Sequence, residues 1–255
     1  ISPVSVGLSV AKHQWSIGKQ QHKIGWLTHQ NSFQMQNNQT EQNSSTQHLI
    51  KTIQSHYSYD EVIKWLESKG IELYGNHFKI LETDYQIVYK LIAYFLKDES
   101  TCNQFNIHLE KGILLTGPIG CGKTSLMNLM KHVALPNNKF SVKPCREISF
   151  EFIQEGYPII HKYSIGQLHH TDPRTYCFDD LGTENNLKYF GNECNVLAEI
   201  LLSRYDLFIS KKLKTHITTN LSATEIEKQY GNRVRSRLRQ MVNLIAFDKS
   251  TPDKR

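Results

Sequence analysis

Lys123 and Thr124 follow the stretch Gly117-Pro118-Ile119-Gly120-Cys121-Gly122, and Ser125 comes next. This fits G-x-x-x-x-G-K-[ST] in full. The glycines let a loop turn tightly enough for successive backbone N–H groups to face phosphate oxygens. The loop opens what reads as a helix, whose N-terminal dipole favours anions. The candidate phosphate-binding set is therefore Gly117, Pro118, Gly120, Cys121, Gly122, Lys123, Thr124 and Ser125. Lys123 is expected to reach the β- and γ-phosphates, and the Thr124 hydroxyl to ligate Mg2+. A Gly-rich turn before a helix also arises by chance. Here an apolar strand, GILLTG, precedes it and a helical pattern follows, which is the context a nucleoside triphosphate loop requires.

Such a loop needs an acid at the end of a neighbouring strand to hold the metal, and a group to align the attacking water. TYCFDDLG supplies two acids at a strand's carboxyl end, about 55 residues after the loop. Asp179 is the better metal partner, and Asp180 is the candidate for orienting or deprotonating water. The alternative is a plain acidic turn. The next strand, THITTN, ends in Asn220, which either helps hold that water or caps the following turn. GNRVRSRLRQM carries Arg233, Arg235, Arg237 and Arg239. Arg233 and Arg237 share one helix face, Arg235 and Arg239 another. They form either a solvated basic face or a source of positive charge for phosphate, on a neighbouring subunit or on nucleic acid.

These residues require strands and helices in alternation. YSYDEVIKWLESKG predicts a helix opened by a Ser58/Glu61 capping box and ended at Gly70, with Val62, Ile63, Trp65 and Leu66 as its apolar face. A second helix is expected over Asp84–Leu96, then the strand GILLTG, a helix over about 123–134 and a mixed region to Ser164. The strand TYCFDD, a helix from about Glu193 to Ser210, the strand THITTN, the arginine helix and the strand VNLIAF complete the chain. This order predicts a parallel sheet covered on both faces. Residues 28–47, THQNSFQMQNNQTEQNSSTQ, are Gln-, Asn- and Ser-rich. A tract of that kind buries too little apolar surface to offset its ordering entropy. The expected organisation is a poorly ordered arm over 1–50, a short helical segment over 51–76, and an ATPase-type domain over 77–255.

Hydrophobic residues make up 39% of the 255 residues, enough for a core. Lys and Arg number 30 against 24 Asp and Glu, a net charge of +6 that suits solubility or mild attraction to a polyanion. The five cysteines are widely spaced with no C-x-x-C, which argues against a disulfide framework or zinc site and for a reducing cytoplasm. No apolar run approaches the roughly 20 residues that span a bilayer, so no membrane role is expected. The chain starts at Ile1 rather than Met, so the natural start is expected to lie upstream or to have been removed.

GPIGCGKTS, CFDDLG, ITTNLSATEI and YGNRVRSRLRQM, in that order, resemble the AAA+ ATPases of the DnaC/IstB type, over about residues 78–248. That family includes replicative helicase loaders and ATPase helpers of transposases. The resemblance implies ATP and Mg2+ as cofactors, a P-loop NTPase fold of the AAA+ kind and no C-terminal lid domain. It places Lys123 and Thr124 on Walker A, Asp179 and Asp180 on Walker B, Asn220 on sensor 1, Arg237 on the arginine finger and Arg233 on its accompanying arginine. The second acid is Asp where many relatives have Glu. Arg204, in SRYD, resembles a recurring Arg-Tyr and receives no role. The family's extra helical element, which engages single-stranded DNA, would fall in ISFEFIQEGYPIIHKYS, with Lys143, Arg146, Lys162 and Tyr163 as charge and stacking surface; an ordinary amphipathic helix is the alternative.

The function expected is that of an ATP-hydrolysing helicase loader, working as an open ring or spiral of identical subunits on single-stranded DNA. A transposase in place of the replicative helicase is the alternative partner; for either, the helix from Ser58 to Lys69, with Trp65, is one docking candidate, simple packing against the ATPase domain being the other reading of it. A P-loop nucleotide kinase is a reading from another class, but no lid or substrate segment stands out and the paired acids suit water better. A nucleotide-binding adaptor with little turnover is the third.

Overall fold

The computed structural model describes residues 58–166, 173–184, 187–189 and 192–254. The polar arm over 1–50, and the start of the 51–76 segment, lie outside them. The elements in chain order are α1 (Tyr59–Tyr74), a 3-10 turn (Glu82–Asp84), α2 (Tyr85–Leu96), α3 (Glu99–Gln104), β1 (Gly112–Thr116) and α4 (Lys123–Val133). A second 3-10 turn (Pro136–Asn138) leads to β2 (Ser141–Pro144), α5 (Cys145–Glu155), α6 (Pro158–Ser164) and β3 (Tyr176–Leu181). A hairpin of β4 (Leu187–Tyr189) and β5 (Asn192–Cys194) precedes α7 (Val196–Lys211), β6 (Thr215–Thr219), α8 (Ala223–Met241) and β7 (Val242–Ala246). Among the described residues no helix is long and apolar enough to cross a membrane.

Five strands form one sheet in the order β2-β3-β6-β1-β7, and every pair is parallel. This is the α/β architecture the alternation predicted. Side chains alternate between the faces of a strand. Ile113 and Leu115 of β1 join one buried cluster with residues of α1, α2 and α4, while Leu114 joins the other with α5, α7 and α8. Both faces are covered, so β1 reads as an apolar run and β6, Thr-His-Ile-Thr-Thr, is buried along its whole length.

Three boundaries differ from expectation. The Ser58/Glu61 capping box opens α1 as predicted, but the helix runs through Gly70 to Tyr74 and ends at Gly75. Gly70 is buried beneath Phe78, and a Cβ there would stand 2.1 Å from that ring. It is a contact glycine, not a stop. The mixed region before Ser164 contains β2, a short edge strand paired with β3, which its sequence SVKP does not advertise. α7 begins at Val196 rather than near Glu193, because Asn195 accepts from the Ala198 N–H at 3.0 Å and caps it.

The amino ends of β3 and β6 are tied by Arg204, which is fully buried. Its guanidinium donates to Thr215 Oγ1 (2.7 Å) and to the carbonyls of Tyr163 (2.9 Å), Arg174 (3.0 Å) and Lys214 (3.0 Å). The Tyr176 and Phe178 rings flank it, each 5.5 Å away. Burial pulls its pKa down to about 10. Arg204 therefore acts as a cross-brace, a role its sequence context did not suggest. Nearby, His216 is buried and its Nδ1 accepts from the Ile113 N–H at 3.1 Å, which requires a neutral ring. Burial, with the charges of Lys214 and Arg204, lowers its pKa to about 3.

Arg204→Met strands three carbonyls and a hydroxyl, so urea unfolding should show a loss of about 3–5 kcal/mol. Arg204→Lys, lacking the planar fork, should recover less than half of it. His216 binds its proton more readily unfolded than folded. Stability should therefore fall as pH drops from the ordinary histidine range towards about 3, by up to about 1.4 kcal/mol per pH unit. His216→Asn, whose amide oxygen can take the Ile113 N–H, should flatten that slope in denaturant titrations.

Candidate functional site

Directly after β1 the chain turns through Gly120 (φ 79°) and Gly122 (φ 96°), both in the left-handed region. Side chains there would be strained. The turn brings Lys123 to the first position of α4, where no side chain caps the helix start. The Lys123 ammonium is buried and donates to the carbonyls of Gly117 (2.9 Å) and Pro118 (2.7 Å), with Cys121 Sγ at 3.7 Å. A phosphate group would offer the same ammonium stronger, charged acceptors.

The β3 register against β6 shifts between Phe178 and Leu181, and Asp180 takes φ 53°. This bulge at a functional edge sends the two acids to different environments. Asp179 is buried, and Asp180 is exposed on the cavity wall. Thr124 Oγ1 lies 3.0 Å from both Asp179 oxygens, and Thr218 Oγ1 donates to Asp179 Oδ1 at 2.6 Å. Thr218 Oγ1 also accepts from the Asp180 N–H at 2.9 Å. Burial raises the Asp179 pKa from its ordinary value, against the lowering effect of the Thr218 hydroxyl. Thr218 was not singled out from the sequence; its only signal is a hydroxyl on the strand next to the acids.

Among the described residues no group of three or more His, Cys, Asp or Glu could hold a metal. The adjacent Thr124 hydroxyl and Asp179 carboxylate instead suit Mg2+, which takes one or two protein oxygens and completes its shell with phosphate and water.

Gly120, Cys121, Gly122, Lys123, Thr124, Ser125, Asp180 and Asn220 line one cavity of about 740 Å³. Tyr74, His77, Phe78 and Ile80, from the end of α1 and the loop beyond it, form another part of its wall. Their contribution was not foreseen, because that segment was read apart from the loop. Gly117 and Pro118 instead line a neighbouring groove that Asn220 also reaches.

Arg237 is not among the residues lining this cavity. It is half-buried on α8 with its guanidinium 4.1 Å from the centre of the Tyr205 ring. Arg233 is exposed, Arg235 pairs with Glu227, and Arg239 lines the neighbouring groove. α8 kinks at Gly231 (φ 86°). Just before the kink, the Tyr230 hydroxyl donates to buried Glu184, whose other oxygen accepts the Gly182 N–H at 3.0 Å.

In the segment expected to meet DNA, Tyr163 is 3% exposed and gives its hydroxyl to Glu151, so it offers no stacking surface. Lys143 and Lys162 both pair with Glu151 at 2.8 Å. The exposed aromatics are instead Phe150, with Arg146 5.3 Å from its ring centre, and Tyr157. Ile148, Phe152 and Ile159 pack inward, as an amphipathic helix requires.

Asp179→Asn would remove a buried charge while keeping an acceptor for Thr218. In the metal-free protein it should raise stability by about 1 kcal/mol, a melting shift of roughly 2–4 °C. It should also abolish Mg2+-dependent nucleotide affinity. Calorimetry with and without Mg2+ and nucleotide checks both halves.

No protein-family profile and no curated protein matches the chain. Among solved structures it is similar to a DnaC helicase loader (17% identity, covering 66% of this chain and 92% of that one, TM-score 0.47). It is also similar to a primosome component from Streptococcus pyogenes serotype M3 (17% identity, 68% of this chain and 85% of that one, TM-score 0.46). A third is AMPPCP-bound DnaA from Aquifex aeolicus (13% identity, 67% of this chain and 48% of that one, TM-score 0.43). What the chain's own geometry establishes is a parallel α/β sheet with a Gly-rich loop at its carboxyl edge that lines a cavity, and a Thr124 hydroxyl in contact with buried Asp179.

Proposed function

We propose that this chain is a Mg2+-dependent ATPase of the AAA+ kind that acts on DNA as a loader of a replicative helicase. The observation that carries the ATPase reading is that Thr124, which lines the cavity together with buried Lys123, contacts the buried carboxylate of Asp179. ATP would lie with its phosphates against the loop amides and Lys123. Thr124 and Asp179 would hold Mg2+. The metal, when bound, would neutralise charge developing on the β- and γ-phosphate oxygens. Asp180, exposed into the cavity, would orient or deprotonate the attacking water, with Asn220 nearby.

Two features favour work in an assembly. The arginine assigned to the finger role, Arg237, lies off its own chain's cavity, and an arginine acting across subunits would complete the neighbour's site. The order of motifs from GPIGCGKTS to YGNRVRSRLRQM favours the loader and transposase-helper branch. DNA would meet the positive charge of the chain, with the exposed Arg146 and Phe150 pair as one stacking platform. The helicase is preferred over a transposase as partner, and pull-down of either by the full chain separates them.

Lys123→Ala should lose ATP binding. Single-stranded DNA should raise the hydrolysis rate of the wild type. Arg237→Ala should keep ATP affinity and lose the stimulated rate by roughly 10³, the scale of a missing arginine finger. A turnover rate indifferent to DNA and to Arg237→Ala would rule out the assembly mechanism.

A further inference from the structure

Past β7 the chain does not leave the site. Phe247 donates its N–H to the Thr116 carbonyl at 2.8 Å, and its Cβ lies so near Gly117 that a Cβ on that glycine would stand 2.6 Å away. A turn follows, in which Asp248 accepts from the Ser250 N–H at 2.8 Å. Pro252, Asp253 and Lys254 then line the cavity. The Lys254 N–H donates to the Gly120 carbonyl at 3.1 Å. Its ammonium donates to the Cys121 carbonyl at 3.0 Å and pairs with Asp84, which is buried beside it. The Phe247 ring lies 5.1 Å from the same ammonium, and the Asp253 side chain rests against Gly120.

Two consecutive P-loop carbonyls are thus held by one residue of the tail. In a trans peptide the C=O and the following N–H point in opposite directions. Pinning the carbonyls of Gly120 and Cys121 toward Lys254 turns the N–H groups of Cys121 and Gly122 away from the tail; the Cys121 N–H makes one long bond, 3.5 Å, to the Pro118 carbonyl, which a phosphate oxygen would replace. In a P-loop, those amides meet phosphate. Amides fixed before the ligand arrives lose less entropy when it binds.

We propose that residues 247–254 are a latch of the phosphate cradle, with Lys254 as the positioning residue that aims the Cys121 and Gly122 amides and Asp84 as its anchor. The proposal rests on the reading of the cavity as a nucleotide site. Lys254 acts on the loop and not on the base, so its loss weakens any polyphosphate equally.

The test compares wild type, Lys254→Met, Lys254→Arg and the double variant Asp84→Asn/Lys254→Met. Amide hydrogen exchange over 117–125 is read in the nucleotide-free protein, and Mg2+-dependent affinity is read for a fluorescent ATP analogue and for tripolyphosphate. Lys254→Met is expected to speed exchange in the loop and weaken both ligands by about tenfold, with the rate at saturating ATP changed less than KM. Lys254→Arg should restore most of the affinity. The double variant removes both charges of the pair, and serves if Lys254→Met alone does not fold. Loop exchange and affinity within twofold of wild type in a folded variant overturn the latch. So does a loss confined to ATP with tripolyphosphate unaffected. If wild type binds neither ligand, the nucleotide reading fails, and the exchange comparison alone still decides whether the tail orders the loop.

Discussion

The site depends on one buried carboxylate. Asp179 sits where three elements meet, held by the Thr124 hydroxyl of α4 and the Thr218 hydroxyl of β6 while its own backbone belongs to β3. An unpaired buried charge is costly, and two hydroxyls offset only part of that cost. The cost registers as a raised pKa, caused first by burial. A divalent cation would relieve it. Tolerating a local instability that a ligand removes is the pattern expected where structure has been given over to binding. The strained Asp180 backbone belongs to the same account, because the bulge that strains it also separates the two acids into a buried one and an exposed one.

The other end of the sheet shows the opposite economy. Arg204 is as deeply buried as Asp179, yet its donors meet three carbonyls and a hydroxyl and its planar faces meet aromatic rings. His216 is buried neutral and its acceptor nitrogen is used. These polar groups lie towards the amino ends of β3 and β6, and the bonds just named partner them there. The carboxyl ends hold the groups left for a ligand. In open α/β sheets the ligand crevice lies at that edge. On the proposed nucleotide reading, the two ends of β3 and β6 divide stability and binding along a single pair of strands.

The parts legible in the sequence were those whose geometry is local. The P-loop declares itself within eight residues, the capping box of α1 within four, and the two acids by ending an apolar strand. What stayed hidden needed neighbours far along the chain. Thr218 gains its part only because β6 lies beside β3, and its partner Asp179 is 39 residues away. Gly70 resembled a helix stop until Phe78 was found against it. Tyr163 looked available for stacking because its hydroxyl and ring read as surface chemistry; in the fold both face inward. The tail is the extreme case, since Lys254 meets Asp84 across 170 residues and nothing in TPDKR announces it.

Distance also explains why the arginine helix cannot be read as a simple basic face. Tyr230 ends its first part, and the hydroxyl of Tyr230 is held by Glu184, which belongs to the loop that follows β3, the strand carrying the exposed acid Asp180. Gly231 then breaks the helical geometry, so the direction of the stretch carrying Arg233 to Arg239 is set at that joint. A buried hydrogen bond to a charged group contributes about 1.5–3 kcal/mol, and a helix interrupted by glycine resists bending weakly. A displacement of the loop after β3 therefore has two outcomes: it carries Tyr230 along and redirects the arginines, or it breaks the bond at that cost. The softer element is the kink. The Tyr230–Glu184 hydrogen bond thus ties the loop after β3 to the part of the arginine helix that precedes the kink.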